Sequence, residues 1–452
     1  MKLNYDWWKD YPERDREYVR YYPCRFFPIK EEDVWKEQRE KPRTYDGIGL
    51  YFHIPLCSTN CGFCPFNKFV TTPELENKFM DALDIEMDLY SKLPFVQSKK
   101  INTIYFGGGT PTSLSIGRLE KFLNRVKDRF NLADDIQVST ECHPLTATED
   151  KLTLMHEWGV DRIALGTQSF NDKTLKTLGC PHKAETSWNA VKTAQKVGFK
   201  KIATDSLFRV PGQNMEDWEQ ELKDAVDSGA NHITTYSLVL TPETPIWKWI
   251  ENGKIPNQPD EAADMEMARF AKEYLTGQGL QMYTLSDYSR DKIDYKYKNY
   301  CWRAPQGEYL GLGAGAFEAV NDHTSCKIHD VNEYVKVLNE GKIPYLMGAK
   351  VTDRQRMSRF FVLGVKYLEV DLDDFKKQYN VDAHSIFGEQ FKKLEHYKLI
   401  EFEGSKMKLT DKGWLYVDNV SKAFYTEDQL MTPHPIEMLL VEGEEAIPAK
   451  AV

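Results

Sequence analysis

Short runs of β-branched and aromatic residues alternate with longer amphipathic stretches between about residues 46 and 245. The strand-like runs lie at 49–54, 101–106, 136–141, 161–166, 201–208 and 232–239. Helical spacing of apolar residues marks the stretches at 76–93, 116–130, 184–198 and 214–229. This alternation predicts an α/β fold with a parallel sheet and right-handed crossovers. Six such units are too few to close an eight-stranded barrel, so we expect a partial barrel or an open doubly wound sheet.

The flanking segments show other patterns, which set the predicted domain boundaries. A polar and aromatic segment precedes the alternating region, and a helical pattern at 260–280 follows it. A short strand pair is expected within 399–410, with helical pattern on both sides. The predicted parts are an N-terminal arm or cap at 1–45, a partial (β/α)6 barrel at 46–245, a mostly helical, winged-helix-like C-terminal domain at 246–425 and a tail at 426–452.

Composition and charge narrow the class of protein. The 452 residues carry a net charge of −10, which is a poor match for a duplex DNA binder with a basic surface. No run approaches the roughly 18 apolar residues that a membrane span needs. The charged, aromatic N-terminus does not resemble a signal peptide. We therefore expect a cytoplasmic monomer that binds neither nucleic acid nor membrane and acts on a small molecule.

Three of the eight cysteines lie together in CSTNCGFC, as Cys57, Cys61 and Cys64. Disulfides are rare in a reducing compartment. Zinc takes four ligands, usually as two pairs, and this chain has no second C-x-x-C, although His53 lies close. Three thiolates can instead bind three irons of a cubane and leave the fourth iron without a protein ligand. The spacing therefore favours an iron–sulfur cluster with one open coordination site.

The cysteine spacing, C-x3-C-x2-C, follows directly on Tyr51-Phe52-His53-Ile54-Pro55. Together these motifs resemble the radical S-adenosylmethionine (SAM) superfamily, in the branch of oxygen-independent coproporphyrinogen III oxidase (HemN) and its class C methyltransferase relatives. The resemblance extends from about residue 46 to about residue 420. It implies that the three cysteines are catalytic ligands of a [4Fe-4S] cluster, that the open iron binds SAM, and that flavodoxin or ferredoxin supplies an electron. The expected product is a 5′-deoxyadenosyl radical, whose chemistry belongs to the cofactor.

Residues at the ends of the other predicted strands match further positions of the same family. Gly107, Gly108, Gly109 and Thr110 follow the second strand, Glu141 ends the third, Gln168 ends the fourth and Asp205 lies in the fifth. The resemblance implies that these residues contact SAM, with Asp205 holding the ribose hydroxyls. Tyr51, Phe63 and Phe66 flank the cysteines and are expected at the same cofactor. The alternatives are a tight turn for the glycines and a surface position for Glu141.

Several positions depart from the family pattern. Cys180 stands where many relatives have a carboxylate-binding Arg, and Lys183 is a candidate substitute. Arg209 stands where Gly is usual, so we expect it to face a cofactor or substrate carboxylate, or else a neighbouring acid. Pro65-Phe66 replaces the Gly-Cys step of true coproporphyrinogen oxidases and is more similar to heme-degrading and methylating relatives. The glycine-rich stretch 311–317 is expected either to approach the cofactor or substrate or to pack against the barrel.

Three functions follow from the resemblance. The first is methyl or methylene transfer with a second SAM molecule, as C-methylation, cyclopropanation or ring opening on an sp2 carbon of an aromatic or porphyrin-like substrate. The second is oxidative decarboxylation of coproporphyrinogen III, and the third is heme-binding trafficking. Aromatic residues of the arm, expected to cover a flat substrate or simply to pack, are Trp7, Trp8, Tyr18, Tyr21 and Tyr22. Candidate carboxylate binders for decarboxylation are Arg162, Arg209 and Arg303, and candidate heme ligands for trafficking are His182 and Cys180.

Overall fold

The computed structural model describes residues 14, 22–23, 25–36, 47–242, 244–291, 295–303 and 307–430. The expectations for Trp7, Trp8, Tyr18 and Tyr21, and for most of the predicted tail, lie outside these residues. Tyr22 is buried, and its hydroxyl lies 2.9 Å from Thr426 Oγ1, so it packs against the C-terminal part of the chain. Residues Glu31–Trp35 form a short helix.

The six predicted strands form a parallel sheet in chain order, so this part of the fold is confirmed. Their bounds are Gly47–Ile54, Lys100–Gly108, Leu132–Cys142, Arg162–Gln168, Lys201–Phe208 and His232–Ser237. We refer to them as barrel strands one to six. Every residue of strand one is buried except Tyr51, which is partly exposed, as expected for a strand covered on both faces.

Helices cross between these strands and cover the outer face of the sheet. They are Pro73–Ser91, Ile116–Arg129, Glu149–Trp158, Asp172–Leu178, Ala184–Val197 and Met215–Asp227. Sequence reasoning did not propose Glu149–Trp158 or Asp172–Leu178 as helices. Both are short and bury few residues, for example Leu152 and Met155 in the first, so their apolar periodicity is weak.

The sheet continues beyond the barrel on both sides, and reaches 13 strands within the described part of the chain. Tyr309–Leu312 adds a further parallel strand beside barrel strand one. Antiparallel strands then follow at Phe317–Val320, His323–Lys327, Tyr345–Lys350 and Phe27–Pro28, and on the far side at Asp287–Ser289 and Gln281–Met282. The sheet therefore does not close into a full barrel, as we expected from the six strand–helix units.

The glycine-rich stretch 311–317 is the end of this added strand and the turn after it. Gly313 has φ +106, and a Cβ there would lie 2.0 Å from His53 O. Only glycine allows this approach to barrel strand one. The packing interpretation therefore accounts for Gly313, while the flanking Tyr309 and Phe317 line the cavity described below.

A second, mostly helical part surrounds a small antiparallel sheet, as predicted. Its three strands are Glu369–Asp371, Lys406–Leu409 and Ile400–Glu403. Four helices contribute to the core beside this sheet: Asp353–Gly364, Leu372–Tyr379, Ala383–His396 and Val417–Lys422. Glu261–Gly277 and Val331–Asn339 pack instead on the barrel helices Met215–Asp227 and Pro73–Ser91. The remaining helices of this part of the chain are Pro245–Glu251, Lys296–Trp302, Asp411–Leu415 and Glu427–Leu430. Phe361 stacks on Phe424 with ring centroids 4.6 Å apart, at the centre of a separate aromatic core. The exact domain boundaries stay a prediction. Among the described residues, no helix has the length and apolar character required to span a membrane.

Candidate cluster and cofactor site

The carboxyl ends of the barrel strands open into a cavity of about 630 Å³. Most of the residues predicted for the site lie on its wall. They are Tyr51, Cys57, Cys61, Phe63, Cys64, Phe66, Gly108, Gly109, Thr110, Glu141, Gln168 and Asp205. These positions come from five segments that are distant in sequence, and the parallel topology brings them to one edge of the sheet.

The cysteine loop is held at both ends by backbone hydrogen bonds. The Thr71 amide donates to Cys57 O at 2.8 Å, beside the short parallel strand pair Leu56–Cys57 and Phe69–Val70. At the other end, the Gly62 amide donates to Gly179 O at 3.2 Å, and the Ile246 amide donates to Gly62 O at 3.0 Å. The loop is therefore clamped between the barrel and the helix Pro245–Glu251.

The residues present fit a cubane cluster. All three cysteines are free thiols. Within the described ranges, no three His, Cys, Asp or Glu side chains converge enough to hold a single metal ion, whereas a cubane takes one thiolate per iron. A Cβ on Gly109 would lie 2.9 Å from Cys57 Sγ, so a glycine at this position leaves space beside the Cys57 thiol. When bound, such a cluster supplies the electron that cleaves the SAM sulfonium.

The three thiols differ in acidity because their surroundings differ. Burial raises the pKa of Cys57 to about 11 and also raises that of Cys64. The pKa of Cys61 is instead lowered, chiefly by a hydrogen bond from Cys180, with His143 adding to the effect. A thiolate is the form that binds iron, so Cys61 is the thiol best prepared for ligation.

The position of Cys180 corrects part of the sequence interpretation. It lies beside Cys61, as the contact between Gly62 and Gly179 requires, and it does not line the cavity. Lys183, the suggested substitute for the missing Arg, is exposed and also lies outside the cavity wall. His143 does line the cavity, and its side chain makes a hydrogen bond with Cys61. Sequence reasoning missed His143, although it lies two residues after Glu141.

Glu141 is oriented from two sides. Its Oε1 accepts a 2.7 Å hydrogen bond from Tyr105 Oη, and its Oε2 accepts a 3.2 Å bond from the Gly108 amide. Gly107 is buried and does not line the cavity. A Cβ at Gly107 would lie 2.8 Å from the Tyr105 ring and 3.2 Å from the Glu141 carboxyl carbon. Gly107 therefore allows this pair to meet, and its own contact with the cofactor stays a prediction.

Asp205 and Gln168 face the cavity from adjacent strands. Burial, reinforced by the nearby Glu141 charge, raises the pKa of Asp205 to about 7. Gln168 adopts φ 61, an uncommon conformation for a residue other than glycine. A Cβ on Gly166 would lie 2.8 Å from Gln168 Nε2, so this glycine makes room for the amide.

The helix Lys296–Trp302 forms the cavity floor, and sequence reasoning did not place it there. Tyr297 stacks on Tyr105 with ring centroids 4.5 Å apart. Lys298 forms an ion pair with the buried Asp287, whose Oδ1 lies 3.5 Å from His232 Nε2. The only sequence signal was a concentration of tyrosines around residue 297, which does not specify a place in the fold.

The three arginines proposed as carboxylate binders do not line the cavity. Arg162 is buried, with Nη2 2.9 Å from His232 Nδ1. Arg303 lies over the Tyr367 ring at 4.7 Å. Arg209 donates from Nε to Pro259 O at 2.9 Å and lies 3.9 Å from Asp264 Oδ1, so it meets a neighbouring acid rather than a ligand carboxylate. Of the two contacts expected for Arg209, the structure therefore has the one with a neighbouring acid.

Comparison with known proteins agrees with this geometry. The chain matches the radical SAM superfamily over residues 51–225 and the HemN C-terminal domain over residues 351–416. It is 28% identical to the heme chaperone HemW of Bacillus subtilis (strain 168) over 379 residues, which cover 83% of this chain and 99% of that relative. It is 30% identical to the heme chaperone HemW of Escherichia coli (strain K12) over 270 residues, covering 60% of this chain and 69% of the relative.

A solved structure shares the fold. Coproporphyrinogen III oxidase (HemN) from Escherichia coli, described as a radical SAM enzyme, superposes with a TM-score of 0.76 at 21% identity, covering 84% of this chain and 91% of that one. The motif, the cysteine geometry and these matches lead to one assignment. The chain belongs to the radical SAM superfamily, in its HemN-like branch.

Proposed function

We propose that this protein binds a [4Fe-4S] cluster at Cys57, Cys61 and Cys64 with SAM beside it, and holds heme in the aromatic part of the same cavity, as a heme chaperone. The observation that carries the proposal is the shared cavity: its cluster end bears the three thiols, and the rest of its wall is rich in aromatic rings. Two relatives that match much of this chain are named heme chaperone HemW. Flavodoxin or ferredoxin is the expected electron donor.

The aromatic part of the wall suits a flat macrocycle. It includes Phe208, Tyr236, Tyr309, Phe317, Trp302 and Trp414. Tyr236 is 40% exposed and Phe66 is 45% exposed, so apolar surface also extends to the cavity mouth. Pockets that enclose a ligand of this kind are mostly apolar and aromatic, with volumes of roughly 300–1,000 Å³. The cavity of about 630 Å³ falls within that range.

The residues at the cluster end have separable tasks. Cys57, Cys61 and Cys64 would bind the cluster. Glu141, oriented by Tyr105, would accept a hydrogen bond from the SAM amino group, and Asp205 would accept from the ribose hydroxyls. A carboxylate that accepts from two vicinal hydroxyls fixes the orientation of the ribose.

The heme ligands suggested by sequence need revision. His182 is buried and its Nε2 lies 3.0 Å from Thr167 O, and it does not line the cavity. Cys180 lies beside Cys61, outside the cavity wall. His143 and Cys301 do line the cavity, and both residue types can bind heme iron. They are the candidates that the geometry favours.

Two enzymatic functions compete with this proposal. Oxidative decarboxylation of coproporphyrinogen needs cations for several carboxylates, and Arg162, Arg209 and Arg303 are turned to protein partners. Methyl or methylene transfer with a second SAM was the first hypothesis from sequence, and the matched relatives give it no support. It stays a possible outcome of the experiment below.

The test is anaerobic reconstitution with iron and sulfide, followed by heme titration and incubation with SAM and dithionite. We expect stoichiometric heme binding, seen as a shifted Soret band, and a cluster signal in electron paramagnetic resonance that SAM perturbs. Replacing all three cysteines with alanine should remove the cluster signal, whereas Cys326→Ala, a buried cysteine outside the cavity, should keep it. S-adenosylhomocysteine formation would favour methyl transfer, and absence of heme binding would reject the chaperone proposal.

A further inference from the structure

The Asp264 carboxylate joins three parts of the chain at the cavity wall. It forms an ion pair with the Arg14 guanidinium and accepts a hydrogen bond from the Ser237 hydroxyl. Arg209 Nε lies 3.9 Å from Asp264 Oδ1, as noted above. The Asp264 side chain is 2% exposed, and those of Arg14 and Arg209 are 14% and 16% exposed. Two guanidinium groups therefore share one buried carboxylate.

The conformation of Arg209 supports a specific role for this arrangement. Arg209 has φ 59, in the left-handed region that favours glycine. An arginine at such a position is costly unless its side chain gains a contact. Here it gains the Pro259 carbonyl and Asp264. The side chain is consequently committed to the protein rather than to a ligand.

Arg14 lines the described cavity wall, whereas Arg209 contacts Asp264 without lining it, and the other cations on that wall are committed as well. Lys298 forms an ion pair with Asp287. Lys68 donates to Cys64 O at 2.6 Å and approaches Phe66 O at 3.5 Å, at the cluster end. The acids on the same wall are Glu141, Asp205, Asp264 and Asp418. Acidic groups therefore outnumber basic ones among the described lining residues.

We propose that Asp264 is a specificity-determining residue, which keeps Arg14 and Arg209 neutralised and so excludes polycarboxylate tetrapyrroles from the cavity. A ligand carboxylate buried without a cation loses its hydration and gains nothing in return. A macrocycle with few carboxylates can direct them out of the cavity, whereas one with carboxylates around its whole edge cannot. Selection by an unfavourable contact with the wrong ligand is a general route to specificity. This inference rests on the proposed function.

The first test ranks three ligands on the reconstituted full chain by absorbance titration. They are heme, its dimethyl ester, and the tetracarboxylate iron coproporphyrin III. We expect heme and the ester to bind with similar affinity, and iron coproporphyrin III to bind at least about tenfold more weakly, because like charges meet in the interface. Equal or tighter binding of iron coproporphyrin III would overturn the inference while leaving heme binding intact. Failure of all three ligands to bind would reject the proposed function itself.

The second test uses a variant that should change the preference of the protein for heme over iron coproporphyrin III. Asp264→Asn keeps the size of the side chain and removes its charge, so that both guanidinium groups lose their carboxylate partner. We expect the affinity for iron coproporphyrin III, relative to heme, to rise about tenfold. Glu221→Gln is the matched control, because Glu221 is a buried carboxylate bonded to Ser169 and Ser206 away from the cavity wall, and it should leave the ratio unchanged. An unchanged ratio in folded Asp264→Asn contradicts the inference. If circular dichroism shows that Asp264→Asn does not fold, the inference is decided by the relative affinities of the wild-type protein for the three ligands of the first test.

Discussion

Tyr105 Oη donates a 2.7 Å hydrogen bond to Glu141 Oε1, and so links the second and third barrel strands at the cofactor end of the cavity. The pKa of Tyr105 is held well above its ordinary value by burial and by the Glu141 charge, so the phenol stays a donor. Tyr297 stacks on the same ring from a helix far along the chain. The orientation of Glu141 therefore depends on the C-terminal part of the protein.

Tyr105→Phe should weaken SAM binding without removing the cluster. The loss of one positioning hydrogen bond, worth about 1 kcal/mol, predicts a dissociation constant raised roughly three- to tenfold. Calorimetric titration of SAM into reconstituted protein measures this. Tyr334→Phe is the control, because Tyr334 donates to the buried Glu86 outside the cavity. If both variants bind SAM like the wild type, the positioning role of Tyr105 is wrong.

Gly109→Ala should reduce cluster incorporation. The added Cβ would lie 2.9 Å from Cys57 Sγ and 2.9 Å from the backbone Leu56 O, so the cysteine loop would have to shift. We expect lower iron and sulfide content per chain after reconstitution, with the fold retained by circular dichroism. Gly117→Ala lies in a helix with nothing within 4 Å of the new Cβ, and should keep the iron content while stabilising the helix by up to about 1 kcal/mol. Equal iron content in the two variants would contradict the prediction.

Asp205→Asn should stabilise the cofactor-free protein while weakening SAM binding. The folded-state pKa of Asp205 is raised from 3.8 to about 7, so the folded protein keeps a proton that the unfolded chain releases. Stability from this group is therefore greatest below pH 4, falls as pH rises to about 7, and stays low above it. Because the Asp205 side chain is only half-buried, we expect Asp205→Asn to raise the free energy of unfolding by about 1–2 kcal/mol at pH 8.

Thermal unfolding of the two proteins at several pH values tests this. The difference in unfolding temperature between Asp205→Asn and the wild type should shrink towards acid pH. If Asp205→Asn is less stable than the wild type at pH 8, the charged Asp205 carboxylate does not destabilise the cofactor-free protein, and the prediction is wrong. SAM titration on the same preparations should show weaker binding by the variant.

Lys298→Met should destabilise the cavity floor. Removing one partner of a buried ion pair leaves Asp287 uncompensated, which typically costs about 3–5 kcal/mol. Lys223→Met is the control, since Lys223 makes an exposed pair with Glu219 and should change stability by less than about 0.5 kcal/mol. Chemical denaturation followed by fluorescence compares them. Similar midpoints for both variants would indicate that the Asp287 pair contributes little.

Local patterns in the sequence determined the parallel core and the cluster loop. The six strands were predicted to within four residues at each end, because a buried parallel strand needs a continuous apolar run. The cysteine spacing and the residues at the strand ends identified the cavity wall, since parallel strands bring their carboxyl ends to one edge. These features depend on neighbours in sequence and on a regular topology.

Only the tertiary structure decided which charged and aromatic groups meet across that cavity. Arg209 and Asp264 are 55 positions apart in sequence, and Tyr105 and Tyr297 lie on a strand and a distant helix. Such contacts depend on how the second part of the chain packs over the barrel, and no local periodicity encodes that. For the same reason the sequence left two contacts open for Arg209, a ligand carboxylate or a neighbouring acid, and only the packing of the second part of the chain places it beside Asp264.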